Sequence, residues 1–175
     1  MTINKNRHFV YLTLLSAMAI TLNLIESIYI GPIFLTLRIG LANIIALITI
    51  RILGVRDMII VNAMRVMIGN LLRGTIFGST FWIAFGGVVL SSISLVICDR
   101  MKSSLMFTSV ISSICHSLGQ VLVVMAFYNQ PAFAAILPYM LLGSVPMGIL
   151  TGYTAQLVLT RIKPLRKDIE KNMNR

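Results

Sequence analysis

The segment TFWIAFGGVVLSSISLVI, residues 80–97, carries no charge along its whole length, and the charged segment CDRMK follows it at once. Read as a helix at 1.5 Å per residue, the run spans about 27 Å, close to the ~30 Å hydrocarbon core of a bilayer. Its serines stand at 91, 92 and 94 and do not alternate with apolar residues, so it lacks the period-two pattern of a barrel strand. The run reads as a transmembrane helix.

Working outward from it, comparable apolar runs occupy residues 9–25, 33–53, 58–72, 108–127 and 137–160. The third is short. The sixth is long and contains Pro138 and Pro146, which a helix in lipid tolerates when neighbouring groups satisfy the freed carbonyls. The expected fold is an all-α membrane protein with six transmembrane helices in one domain over residues 1–175, ending in a basic tail at 161–175. Composition agrees: 57% of residues are apolar and 11% charged, with a mean hydropathy of +0.90. A soluble domain of this size cannot bury that much apolar surface.

Lys5 and Arg7 precede the first run, and Ala17-Met18-Ala19 mimics a signal-peptide cleavage site. The apolar run continues unbroken to Ile25, longer than a signal peptide needs, so a retained first helix is expected. Orientation follows from Lys and Arg. With both termini inside, twelve of these residues fall in inner segments and only Arg73 falls in an outer loop, while Arg38 and Arg65 lie within helices. The positive-inside rule therefore places both termini in the cytoplasm of a bacterial cell, with the chain crossing the cytoplasmic membrane many times. The formal charge of +10 belongs to those loops and to anionic lipid headgroups facing the tail. No aromatic residues interleave with a basic face, so nucleic acid is not an expected partner.

Chemistry has little to work with. The acidic residues are Glu26, Asp57, Asp99, Asp168 and Glu170. All but Glu26 fall in inner segments beside Lys or Arg, as local charge partners. No aspartate-rich diphosphate motif and no Gly-Lys dipeptide of a P-loop occurs. Cys98 and Cys115 read as small apolar fillers, and His8 and His116 lie far apart. The expectation is a protein that is not an enzyme and uses no cofactor or metal.

The informative residues are polar groups inside lipid, each costly unless it faces a cavity or a partner. Toward the outside lie Asn23, Glu26, Arg38, Asn70, Arg73 and Gln120; toward the inside lie Asn62, Arg65 and His116, with Asn43 near the midplane. Helical spacing puts Asn62, Arg65, Gly69 and Arg73 on one stripe, and His116 with Gln120 on one face. The candidate ligand-binding set is Glu26, Arg38, Asn43, Asn70, Arg73, His116 and Gln120, with His116 expected beneath the pocket. Plainer roles exist for each: snorkelling for Arg38, helix capping for Arg73, a carbonyl contact for Arg65, interhelical hydrogen bonding for His116 and Gln120. Glu26 suits pairing with Arg38 or Arg73 as well as ligand contact. Two arginines against one glutamate on the outer side suit an anionic ligand. Small-residue stripes on the sixth helix (Ser144, Gly148, Gly152) and the first (Thr13, Ala17, Thr21) permit close helix approach.

Several blocks, in order, carry a resemblance. They are Glu26-Ser27 before Gly31-Pro32; Arg38-Ile39-Gly40-Leu41-Ala42-Asn43-Ile44; Arg65-Val66 through Gly69-Asn70-Leu71-Leu72 to Gly74-Thr75; Gly86-Gly87 with Ser91; and His116-Ser117 with Gly119-Gln120. Together they resemble the Gx transporter family, whose members are often labelled heptaprenyl diphosphate synthase component I. Arg38 stands where that family usually has lysine, and Ser117 where it usually has asparagine. The family is similar to the substrate-binding S subunits of energy-coupling factor transporters. The resemblance implies an S-subunit-like bundle that captures a small molecule from outside and partners a membrane coupling subunit and two cytoplasmic ATPases. It also implies that Thr13, Ala17 and Thr21 dock to the coupling subunit. The alternative is a non-catalytic membrane component associated with a prenyl diphosphate synthase of the isoprenoid quinone pathway. The residues do not choose among vitamin-like, flavin-like, isoprenoid or quinone-precursor ligands.

Overall fold

The structure is a computed structural model that describes residues 5–30 and 40–173, with side chains at 8–29 and 40–162. Its helices are α1 (Lys5–Ile25, continued by a π-helical turn, Glu26–Ile30), α2 (Leu41–Ile52), α3 (Val55–Leu72), α4 (Ser79–Arg100), α5 (Leu105–Tyr128) and α6 (Leu137–Met173), the last preceded by a 3₁₀ turn, Pro131–Ile136. There is no strand among the described residues. Four helical stretches are long and apolar enough to cross a membrane: His8–Tyr29, Ser79–Arg100, Leu105–Tyr128 and Pro131–Ile162. This length and apolarity are consistent with a multi-pass membrane protein. α3 carries Arg56, Asp57 and Arg65, and α2 has only 12 residues.

Several helices run past their apolar windows, because their caps lie in polar sequence. Ser104 caps α5 by accepting the Phe107 N–H at 3.3 Å, and Asn129 ends it in the left-handed conformation. α3 ends on Gly74, whose φ of 66° only glycine adopts without strain. That turn sends the Thr75 N–H back to the Asn70 carbonyl at 2.9 Å. α6 continues through the basic segment to Met173, well beyond the expected end at 160. Side chains beyond 162, most of the basic tail, lie outside the described ones.

Ion pairs gather at one end of the bundle. His8 Nε2 lies 3.3 Å from Asp57 Oδ1, joining the starts of α1 and α3. Arg51 lies 3.3 Å from Asp99, joining the ends of α2 and α4, and also donates to the Ser103 carbonyl. Asp57 thus pairs with a histidine rather than with a neighbouring Lys or Arg. Arg51 and Asp99 are partly exposed, and a screened pair of this kind contributes at most about 1 kcal/mol, so it marks the end of the bundle more than it holds it. Successive helices alternate direction between this end and the opposite one.

α2 is the most enclosed element. Ile44 through Ile50 are all buried, as a segment apolar on every side should be. They pack with Leu15 and Ala19 of α1, Met58 and Val61 of α3, Leu95 of α4, and Ala155 and Leu159 of α6. This apolar core fills the half of the bundle nearer the ion pairs. The other half is different in kind.

Candidate ligand cavity

In that other half the helices line a partly open cavity of about 60 Å³. α1 contributes Asn23 and Glu26; the start of α2 gives Gly40, Ala42 and Asn43; α3 gives Arg65, Val66 and Asn70. α4 supplies Ala84 and Val88, α5 supplies Ser113, His116, Ser117 and Gln120, and α6 supplies Met140, Ser144 and Met147. All six helices build one site.

Glu26 is buried, and its carboxylate accepts the Gly40 N–H at 2.6 Å and the Leu41 N–H at 3.2 Å. It caps α2, where exposed N–H groups and the positive end of the helix dipole favour a carboxylate. Gly40 sits at φ 76°, the left-handed conformation that lets its N–H turn toward Glu26. The acid expected to pair with an arginine or a ligand is thus also the cap of the central helix. Arg38 lies outside the described residues.

Arg73 does not line the cavity. Its guanidinium donates to the Gly69 carbonyl at 3.1 Å and to Asn70 Oδ1 at 2.7 Å. Thr75 also donates to Asn70 Oδ1, at 3.1 Å, and Asn70 Nδ2 donates to the Val66 carbonyl at 2.7 Å. These bonds fix which way the Asn70 amide faces. One Nδ2 hydrogen remains beyond the bond to Val66. Arg73 therefore reaches the cavity through Asn70.

Two glycines make room for polar side chains in the wall. A Cβ on Gly87 of α4 would lie 2.9 Å from His116 Cε1 and 2.8 Å from Gln120 Cγ. A Cβ on Gly69 of α3 would lie 2.7 Å from Asn23 Nδ2. His116, expected beneath the pocket, lines it together with Gln120, because the bare face of α4 lets both side chains lie against it. Arg65, expected deeper, lines the same cavity.

Hydroxyls tie α5 to α6. Ser144 gives its hydrogen to the Met140 carbonyl at 2.7 Å, so Ser117, 2.6 Å away, is the donor of their mutual bond. Likewise Ser109 meets Thr151 at 2.8 Å, and Ser112 donates to Asn43 Oδ1 at 3.4 Å. Gly148 and Gly152 pack against Val110 and Met106 of α5. That stripe works inside the bundle. Thr13, Ala17 and Thr21 instead point out of it, while Ser16 and Ala19 point in. Thr13 and Thr21 bond their own helix carbonyls at 2.9 Å, leaving a small outer face of low polarity.

Asn23 belonged to the outer group but not to the candidate binding set, and Ser113, Ser117, Ser144, Met140 and Met147 were missed as lining residues. The signal was available in part. Ser113 and Ser117 flank the face of His116 and Gln120, and Met140, Ser144 and Met147 recur at helical spacing. Among the described residues, no three of His, Cys, Asp or Glu come together as metal ligands.

The family model described as heptaprenyl diphosphate synthase component I matches residues 15–158, which include every residue lining the cavity. The chain belongs to this family. No curated protein and no solved structure gives a significant match. The family name implies association with a heptaprenyl diphosphate synthase partner. The family match and the apolar helical bundle together suggest a membrane component of the heptaprenyl diphosphate synthase component I family.

Proposed function

We propose that this protein is the substrate-binding membrane subunit of an energy-coupling factor-type transporter, capturing a small anionic molecule from outside the cell. The observation that carries the reading is the polar cavity, built by six helices in one half of an otherwise apolar bundle. Polar groups in lipid are costly, and a ligand cavity is the commonest reason to keep them. In this reading all six helices span the bacterial cytoplasmic membrane. The ion-paired end, with both termini, faces the cytoplasm. At the other end Trp82, Tyr128 and Tyr139 are exposed, which suits the outer membrane interface, where such residues concentrate. The small outer face of α1 at Thr13, Ala17 and Thr21 docks to a membrane coupling subunit that carries two ATPases. The protein itself performs no catalysis and uses no cofactor.

The family name favours a second reading, a non-catalytic membrane partner of a prenyl diphosphate synthase. Affinity capture of the tagged full chain from its native membrane separates the two. A coupling subunit and ATPases among the captured proteins support the transporter reading. A prenyl diphosphate synthase captured without them supports the second and overturns the first.

A further inference from the structure

Two hydroxyl relays join α5 to α6, and they differ in what lies beside them. In the first, Thr151 donates to the Met147 carbonyl at 2.9 Å, so Ser109, 2.8 Å away, is the donor of their mutual bond. Both residues are buried and neither lines the cavity. That relay holds two helices together. The second is built the same way but stands in the cavity wall: Ser117 donates to Ser144, and Ser144 donates to the Met140 carbonyl. Both of its hydrogens are therefore spent inside the wall. What remains is oxygen lone pairs, two on Ser117 and one on Ser144. An isolated serine adapts to its partner, because its hydroxyl rotates to donate or accept. Here that rotation breaks a hydrogen bond, so the preference is fixed. Each bond in such a series also polarises the next, which makes the Ser117 oxygen a better acceptor than a lone hydroxyl.

We propose that Ser117 is a specificity-determining residue of the cavity, whose oxygen accepts a hydrogen bond from an O–H or N–H group of the ligand. A carbonyl or ether oxygen at the same point is rejected. This rests on the reading of the cavity as a ligand site. Two oxygens brought together with no hydrogen between them leave both unsatisfied, and a site built to pair with a donor discriminates by about 10-fold or more against a compound lacking it.

The test is thermal stability of the detergent-purified full chain against matched pairs of probes that differ by one donor. These are small alcohols beside the corresponding ketones, and lactams beside the corresponding lactones. Affinity is read from the concentration dependence of the melting temperature. In the wild type the donor-bearing member of a binding pair should be favoured by about 10-fold. Ser117→Ala should bring the two members within about 3-fold of each other, since no acceptor is left to satisfy or to repel. Ser109→Ala breaks the equivalent relay outside the cavity, and should keep the wild-type preference while lowering the melting temperature without ligand. Should Ser117→Ala fail to fold, Ser117→Cys decides. Its thiol fills the same place and is a weak acceptor, so the preference should narrow there too. Equal binding of both members by the wild type, a preference that survives replacement of Ser117, or a preference lost equally in Ser109→Ala overturns the inference and leaves the ligand-site reading standing. If no member of any pair stabilises the wild type, the ligand-site reading itself falls.

Discussion

Gly87 shows how a residue without a side chain shapes the cavity. Its bare surface receives the His116 ring and the Gln120 stem at distances that leave no space for a methyl group. Gly87→Ala should therefore move both side chains while leaving α4 helical. The expected result is ligand binding weakened by about an order of magnitude, from misplaced hydrogen-bonding groups, with a lower melting temperature as well, because the added Cβ also meets the His116 backbone oxygen at 3.0 Å. Glu26 makes a second prediction. Because its carboxylate caps α2, Glu26→Ala should lower stability by about 1–2 kcal/mol, read as a fall in melting temperature in detergent with no ligand present. An unchanged melting temperature would show that the cap contributes nothing. At this scale sequence spacing was a partial guide. It grouped His116 with Gln120, and Gly69 with Arg73, since helical periodicity sets which residues share a face. It could not show that Arg73 bends back onto its own helix, that Glu26 reaches Gly40 fourteen residues away, or that α6 completes the wall, because those depend on tertiary contact.

Among the elements, two stripes of small residues look alike in sequence and differ in use. On α6, a Cβ added to Gly148 would come within 2.7 Å of the Val110 backbone, and backbone cannot swing aside as a flexible side chain can. Gly148→Val should destabilise the isolated protein by about 1–3 kcal/mol through overpacking, seen as a lower melting temperature or aggregation on size exclusion. On α1, Thr13, Ala17 and Thr21 face outward. Ala17→Trp should leave the isolated protein folded and monomeric, yet abolish its capture with the coupling subunit. If assembly survives that bulk, α1 is not the docking face. The helices themselves were legible from apolar runs, and their ends were less so. Caps such as Ser104 and Gly74, and the helical continuation of α6 to Met173, lie in polar sequence that a hydropathy window does not score.

Over the whole molecule the design is a division by depth. An apolar core centred on Ile44–Ile50 fills the ion-paired half, and a polar cavity fills the other. In the proposed topology, the positive-inside pattern puts the cavity on the outer side. A single cysteine placed in the segment 129–135, in a background where Cys98 and Cys115 are replaced by serine, should react with a membrane-impermeant reagent in intact cells. One placed after Lys163 should react only once the cells are opened; the reverse pattern would invert the topology. The most direct measurement for the central claim is native mass spectrometry of the gently solubilised wild-type chain beside Gly87→Leu, whose added side chain collides with His116 and Gln120 at the cavity wall. The account predicts a small-molecule adduct on the wild type that the variant lacks; the bare chain alone in both, or the same adduct on both, would contradict it.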